Sequence, residues 1–147
     1  MPQTLDDVFS QAQWFSDDTP YRLLQLPARA IMPAVSILAE VRDPFVAVII
    51  DKDEITLLMP AALVEEFAER LVRFPDHRVS EKQYRLITLD VVLDFNLVGL
   101  MAHVTTALAK AGISVLTYAA YSRDHFFVTV EDFETALTIL EQLKKGS

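Results

Sequence analysis

Ser114-Val-Leu-Thr-Tyr-Ala-Ala120, a turn at Ser122-Arg-Asp124 and His125-Phe-Phe-Val-Thr-Val130 read as a β-hairpin, and the same reading recurs upstream. There Phe45-Val-Ala-Val-Ile-Ile50 is a continuous β-favouring run, Asp51-Lys-Asp-Glu54 a polar turn and Ile55-Thr-Leu-Leu-Met59 a second run. Each hairpin leads into a helical pattern. Pro60 suits a first helical turn, where the missing amide would have no intrahelical partner, and Leu63, Phe67 and Leu71 form one apolar stripe. Thr129 ahead of Glu131 and Asp132 reads as a cap, and Phe133, Leu137 and Leu140 form the second stripe. The chain is therefore a doublet: Phe45 to Leu71 and Ser114 to Leu143 carry the same strand, turn, strand and helix.

What precedes the second hairpin completes a module. Tyr84-Arg-Leu-Ile-Thr-Leu-Asp-Val-Val-Leu93 reads as a long strand and Asp94-Phe-Asn-Leu-Val-Gly99 as a short turn. Leu100, Met101, Val104, Leu108 and Ala111 then share a helical face that stops at Gly112, a residue able to take positive φ. In the first copy Tyr21-Arg-Leu-Leu-Gln-Leu26 is the corresponding strand. Pro33 falls inside Arg29 to Val41, so the first helix there is expected to be short or lost. Ahead of both copies, Thr4 with Asp6 and Asp7 predicts the capped start of a short helix carrying Leu5, Val8, Phe9 and Ala12, either a lid over apolar surface or a contact for a partner or ligand.

Composition narrows the function. At 147 residues the chain buries about 70% of its unfolded surface, enough for a core without disulfides or metal. Hydrophobic content is 52%, yet no apolar run reaches the roughly 20 residues that span a bilayer. No cationic start precedes an apolar stretch, so no signal peptide is expected and a cytoplasmic protein is the economical reading. With no cysteine, thiolate catalysis and cysteine metal sites are excluded. The net charge of -8 with no Lys/Arg stripe disfavours nucleic acid and anionic membranes as partners.

Catalytic chemistry is sparse. His77, His103 and His125 are far apart, with no spacing that sets two metal ligands on one face, so no metal or cofactor is expected. His103 shares a helical face with Thr106 and Lys110, away from the apolar stripe, and is expected in solvent. The pairs Asp94 with His103 and Asp124 with His125 are the kind a chain of this size offers by chance. The protein is not expected to be an enzyme.

The stretch from Arg85 to Leu143, with Leu93-Asp-Phe-Asn-Leu-Val-Gly99, Leu108-Ala-Lys-Ala-Gly-Ile113 and Tyr121-Ser-Arg-Asp124, resembles an ACT domain. The order of motifs is similar to tandem ACT proteins of the aspartate kinase regulatory region and of the cytosolic arginine sensors, and Phe45 to Pro60 resembles the first half of such a tandem. The resemblance implies an α/β (α+β) fold of two ferredoxin-like βαββαβ modules with antiparallel sheets and helices on one face, the first module degenerate. Residues 1–19 would be an extension, 20–78 the first module and 79–147 the second, intertwined in one compact unit.

It also implies a non-catalytic regulatory role, a homodimer, an effector protein as partner, and a small ligand, often an amino acid, at the turn after the first strand or at a module interface. On this chain the implied set is Asp94, Phe95, Asn96, Leu97, Val98 and Gly99, with Tyr118, Ala119, Ala120 and Asp124 of the neighbouring hairpin. Helix-start amides suit a carboxylate, Asp94 suits an ammonium group, and Gly99 leaves room for close approach. The alternative is that Asn96 caps the helix and Asp94 answers its dipole. Amino-acid-binding relatives often carry hydroxyl residues where this chain has Val98 and Ala119-Ala120. Either the ligand is more apolar, lined by Phe95, Tyr118 and Tyr121, or the module is structural, keeping the fold for protein interaction without a ligand.

Overall fold

The patterning becomes structure with few exceptions. The computed structural model describes residues 2–41 and 43–146. In chain order these form α1 (Leu5–Gln11), β1 (Trp14–Phe15), β2 (Pro20–Pro27), α2 (Ile31–Glu40), β3 (Ala47–Ile50), β4 (Glu54–Pro60), α3 (Ala61–Glu66), α4 (Ala68–Leu71), β5 (Arg78–Val79), β6 (Tyr84–Leu89), α5 (Leu100–Lys110), β7 (Leu116–Ala119), β8 (Asp124–Thr129) and α6 (Phe133–Gly146). Turns of 3-10 helix at Ala28–Ala30 and Val130–Asp132 lead into α2 and α6. The fold is mixed α/β, and the pairings β1–β6, β2–β4, β2–β5, β3–β4 and β7–β8 are all antiparallel.

Two compact units divide the chain. Thr19–Tyr84 is one, and Met1–Asp18 together with Arg85–Ser147 is the other. In the first, β2 pairs along its length with β4, from Tyr21 opposite Pro60 to Pro27 opposite Glu54, and β3 lies on the far side of β4. Leu24, Leu26, Ile55, Leu57 and Met59 meet Ala34 and Ile37 of α2 and Val64 and Leu71 of α3 and α4 in a continuous core. Pro33 does not destroy α2, because it is the third residue of that helix. The first four amides of a helix have no intrahelical acceptor, so the proline there removes no bond. The stripe read across Leu63, Phe67 and Leu71 is instead broken at Phe67, which separates α3 from α4 while remaining buried.

The second unit orders its strands β7-β8-β6, with β1 on β6. Its core joins Ile87, Leu89, Phe126 and Val128 to Leu100, Val104 and Leu108 of α5 and to Phe133, Ala136 and Leu140 of α6. The N-terminal segment belongs to the same core. Thr4 and Asp7 form a reciprocal capping box on α1, which buries Val8 and Phe9, and the Trp14 indole donates a hydrogen bond of 3.0 Å to the Leu140 carbonyl. At the end of α5 Gly112 takes φ 73°, with Gly112 N–H donating to Ala109 O and Ile113 N–H to Leu108 O. That double closure adds to the Ala111 N–H bonds on the last carbonyls of the helix.

The short strands β1 and β5 cross over in the same way. Each precedes a long strand in sequence, β2 and β6 respectively, yet β1 pairs with β6 and β5 with β2. The Thr129 side chain, read as a cap, makes no capping bond; the 3-10 turn Val130–Asp132 intervenes before α6.

Candidate functional site

The long strand expected to run to Leu93 stops at Leu89, and residues 90–99 form an irregular loop before α5. Two anchors divert the chain. Asp90 N–H donates to Gln13 O at 2.8 Å while its carboxylate accepts from Arg123 Nε at 2.9 Å. Further on, Leu93 N–H donates to Ser122 O at 2.8 Å, which ties the loop to the turn of the β7–β8 hairpin. Gln3 fastens the opposite side. Its amide accepts from Asp94 N–H at 2.8 Å and donates to Val92 O at 3.0 Å, and its own backbone N–H donates to an Asp94 carboxylate oxygen at 3.3 Å.

The loop ends at Gly99, which takes φ 92° as the residue capping α5 and receives His103 N–H on its carbonyl. No side chain caps this helix, so the reading of Asn96 as its cap fails: Asn96 lies too far before the helix start. The first-turn amides of α5 have no intrahelical acceptor.

Loop and hairpin turn enclose a cavity of about 330 Å³. Of the residues expected at a ligand site, Asp94, Phe95, Leu97, Gly99, Ala119, Ala120 and Asp124 line it; Asn96, Val98 and Tyr118 do not. Val98 is 84% exposed, and Tyr118 sits opposite His125 in the hairpin with its ring 5.7 Å from Phe127. Tyr121 joins the lining, its ring edge-on to Phe95 at 4.9 Å. Sequence reasoning missed Leu93, Leu100, Met101, Ser122 and Arg123. The last two were read only as turn residues, although a turn beside a candidate loop was itself the signal.

Charge in this region is partly buried. Burial holds the Asp124 carboxyl above the usual carboxylate range, with the neighbouring His125 pulling the other way. Burial also holds the His125 imidazole below its ordinary value; the charge of Asp124 opposes this and that of Arg123 adds to it. His125 Nδ1 shares a hydrogen bond of 2.8 Å with the Thr88 hydroxyl. His103 is exposed, its ring 5.3 Å from Phe9. Among the described residues no cluster of His, Asp or Glu could hold a metal, and no helix is long and apolar enough to cross a membrane. A larger groove of about 590 Å³ runs along α5 and α6, with His103, Thr106, Lys110 and Gln142 among its lining residues.

Residues 79–142 match the ACT domain family. The fold of the chain is similar to the regulatory region of aspartate kinase. The regulatory subunit of aspartate kinase from Thermus thermophilus, in a ligand-free form, superposes with a TM-score of 0.68 at 11% identity over 90% of this chain and 97% of that one. Aspartate kinase from Clostridium acetobutylicum, described as an allosteric enzyme, gives 0.68 at 12% identity over 89% of this chain and 33% of its own. A protein of unknown function from Vibrio cholerae, described as a possible transport protein, gives 0.72 at 26% identity over 95% of both chains. No curated protein matches the sequence.

Proposed function

We propose that the chain is a non-catalytic regulatory module that binds a small ligand, an amino acid or related metabolite, in the cavity between loop 90–99 and the hairpin turn at residues 120–123. One observation carries this reading: two segments distant in sequence close around a single cavity that offers both signs of charge, Asp94 and Asp124 against Arg123, on an apolar wall of Phe95, Leu97 and Met101. A small zwitterion with an apolar body needs that combination. Similarity to aspartate kinase regulatory subunits supports the regulatory role. On this reading residues 20–78 and 79–147 are tandem modules, with 1–19 an extension, working in the cytoplasm. Thermal unfolding with each standard amino acid in turn tests it, because a ligand at a hundred times its dissociation constant stabilises by about 2.7 kcal/mol. Absence of any shift would leave the second reading.

That second reading is an interaction module that keeps the fold without a ligand. It is favoured by the missing hydroxyls at Val98, Ala119 and Ala120 and by the Gln3 backbone N–H that already donates to the Asp94 carboxylate. Under either reading we propose a homodimer that signals to an effector protein. Trp14 and Phe127 are buried within the chain, whereas Val48, Ile49 and Ile50 of β3 are 39–49% exposed at the end of their strand order. An uncovered apolar edge strand is a template for pairing. Sedimentation showing only the 16.6 kDa monomer would remove the dimer.

A further inference from the structure

We infer that Arg123 is the anion anchor of the cavity: its guanidinium takes the carboxylate of the bound molecule, whose side chain is apolar. This rests on the reading of the cavity as a ligand site. Backbone amides at the start of α5 were the donors expected for a carboxylate, yet the lining holds a stronger one. Arg123 is the only cation among the described residues that line the cavity.

The guanidinium is oriented without being used up. Nε donates to Asp90 Oδ1 at 2.9 Å, which fixes the plane of the group through a residue outside the cavity lining. Nη1 has a contact with Ser122 Oγ at 3.5 Å, the outer limit of a hydrogen bond, and Nη2 has no partner among the described residues. A planar fork held by Nε, with its terminal nitrogens open, matches the two oxygens of a carboxylate. The side chain is 39% exposed, so the pairing is partly shielded from water and a ligand still reaches it. This arrangement also accounts for Ala119 and Ala120, which line the cavity without a hydroxyl: a charged fork supplies the donor instead. Phe95, Leu97 and Met101 offer nothing to a charged side chain, and Asp94 and Asp124 remain for the ammonium group.

Differential thermal unfolding of the full chain with L-leucine, L-methionine and L-phenylalanine, compared with their carboxamides, tests the anchor. The free acids are expected to stabilise the protein and the carboxamides to bind about tenfold or more weaker, since a charge-assisted pair is being lost. Arg123→Gln should reproduce that loss with the free acids, and Arg123→Lys should recover part of it as a point charge without the fork. Equal binding of acid and carboxamide would overturn the inference even if Arg123→Gln failed to fold. So would Arg123→Gln binding the acids as tightly as the parent. Stabilisation only by acidic or basic amino acids would overturn the apolar body, and no stabilisation by any standard amino acid would overturn the cavity as a ligand site and the anchor with it.

Discussion

The two copies differ most where the first strand passes to its helix. In the first unit β2 ends at Pro27 and a 3-10 turn enters α2 directly. In the second, β6 ends at Leu89 and residues 90–99 wander before α5 begins. Strand pairing is shared, since β4 and β8 each carry a hairpin partner, so the sheet does not distinguish the copies. The connection does. A loop held off by Gln3, Asp90 and the hairpin turn opens a cavity at the start of α5, whereas a cavity of the first unit lies against β2, β4 and β5. The candidate site is thereby in the second copy.

The comparison is most sharply tested through α1, which the second unit has and the first lacks. Phe9→Ala empties a fully buried ring position and is expected to cost about 3–5 kcal/mol. The lone tryptophan, Trp14, lies in that same unit, so its fluorescence in a urea titration reports the loss. A change below about 1 kcal/mol would make α1 a lid and not core. A smaller effect is expected at Gly99. An added Cβ would meet only Leu5 Cδ1 at 3.7 Å, an ordinary contact, so Gly99→Ala pays for its φ of 92° alone, about 1–2 kcal/mol. Gly112→Ala, at φ 73° with open space around it, should cost a similar amount. Only the former should also weaken ligand stabilisation. If both variants bind alike, the loop is not the site.

The smallest effect concerns pH. Unfolded, the His125 imidazole takes its proton near 6.5, and folded it does so only at lower pH. The unfolded state therefore binds more protons as pH falls through 6.5, and stability that is full above that value declines below it. Asp124 has the opposite sign. Its folded carboxyl holds its proton to higher pH than the unfolded value of 3.8, so its contribution favours the folded state on acidification and is lost as pH rises. Denaturant midpoints for the parent should fall as pH drops through 6.5, and His125→Asn should flatten that limb. An unchanged slope would place the dependence elsewhere.

The hairpins and the α1 cap were legible because each rests on a local rule, alternation of side chains or a hydroxyl set before a helix. Three features were not. Pro33 reads as a breaker unless the start of α2 is known, and that start is set by the 3-10 turn at Ala28–Ala30. Val91, Val92 and Leu93 look like strand, but Arg123, Gln13 and Ser122 claim the backbone and side chain around them from distant parts of the sequence. Arg123 itself sits in a run whose turn propensity masks any other role. Residues of the candidate loop were found from a family likeness and from helix-start chemistry. Their neighbours across the cavity were set by tertiary pairing, which has no local signature.

The crossing of β1 and β5 also sets an order of events at the ribosome. Everything the first unit needs, Thr19–Tyr84, is made as one uninterrupted stretch and can fold while synthesis continues. The second unit has to wait. Its opening residues emerge first, yet the Leu140 carbonyl that receives the Trp14 indole is made near the end of the chain. At about 5–20 residues per second, Val8, Phe9 and Trp14 stay apolar and uncovered for several seconds. A nascent chain stalled far enough past Tyr84 for that residue to have left the ribosome should present that arm to a chaperone, and protease applied to the stalled chain should cut the arm and spare the stretch that follows it.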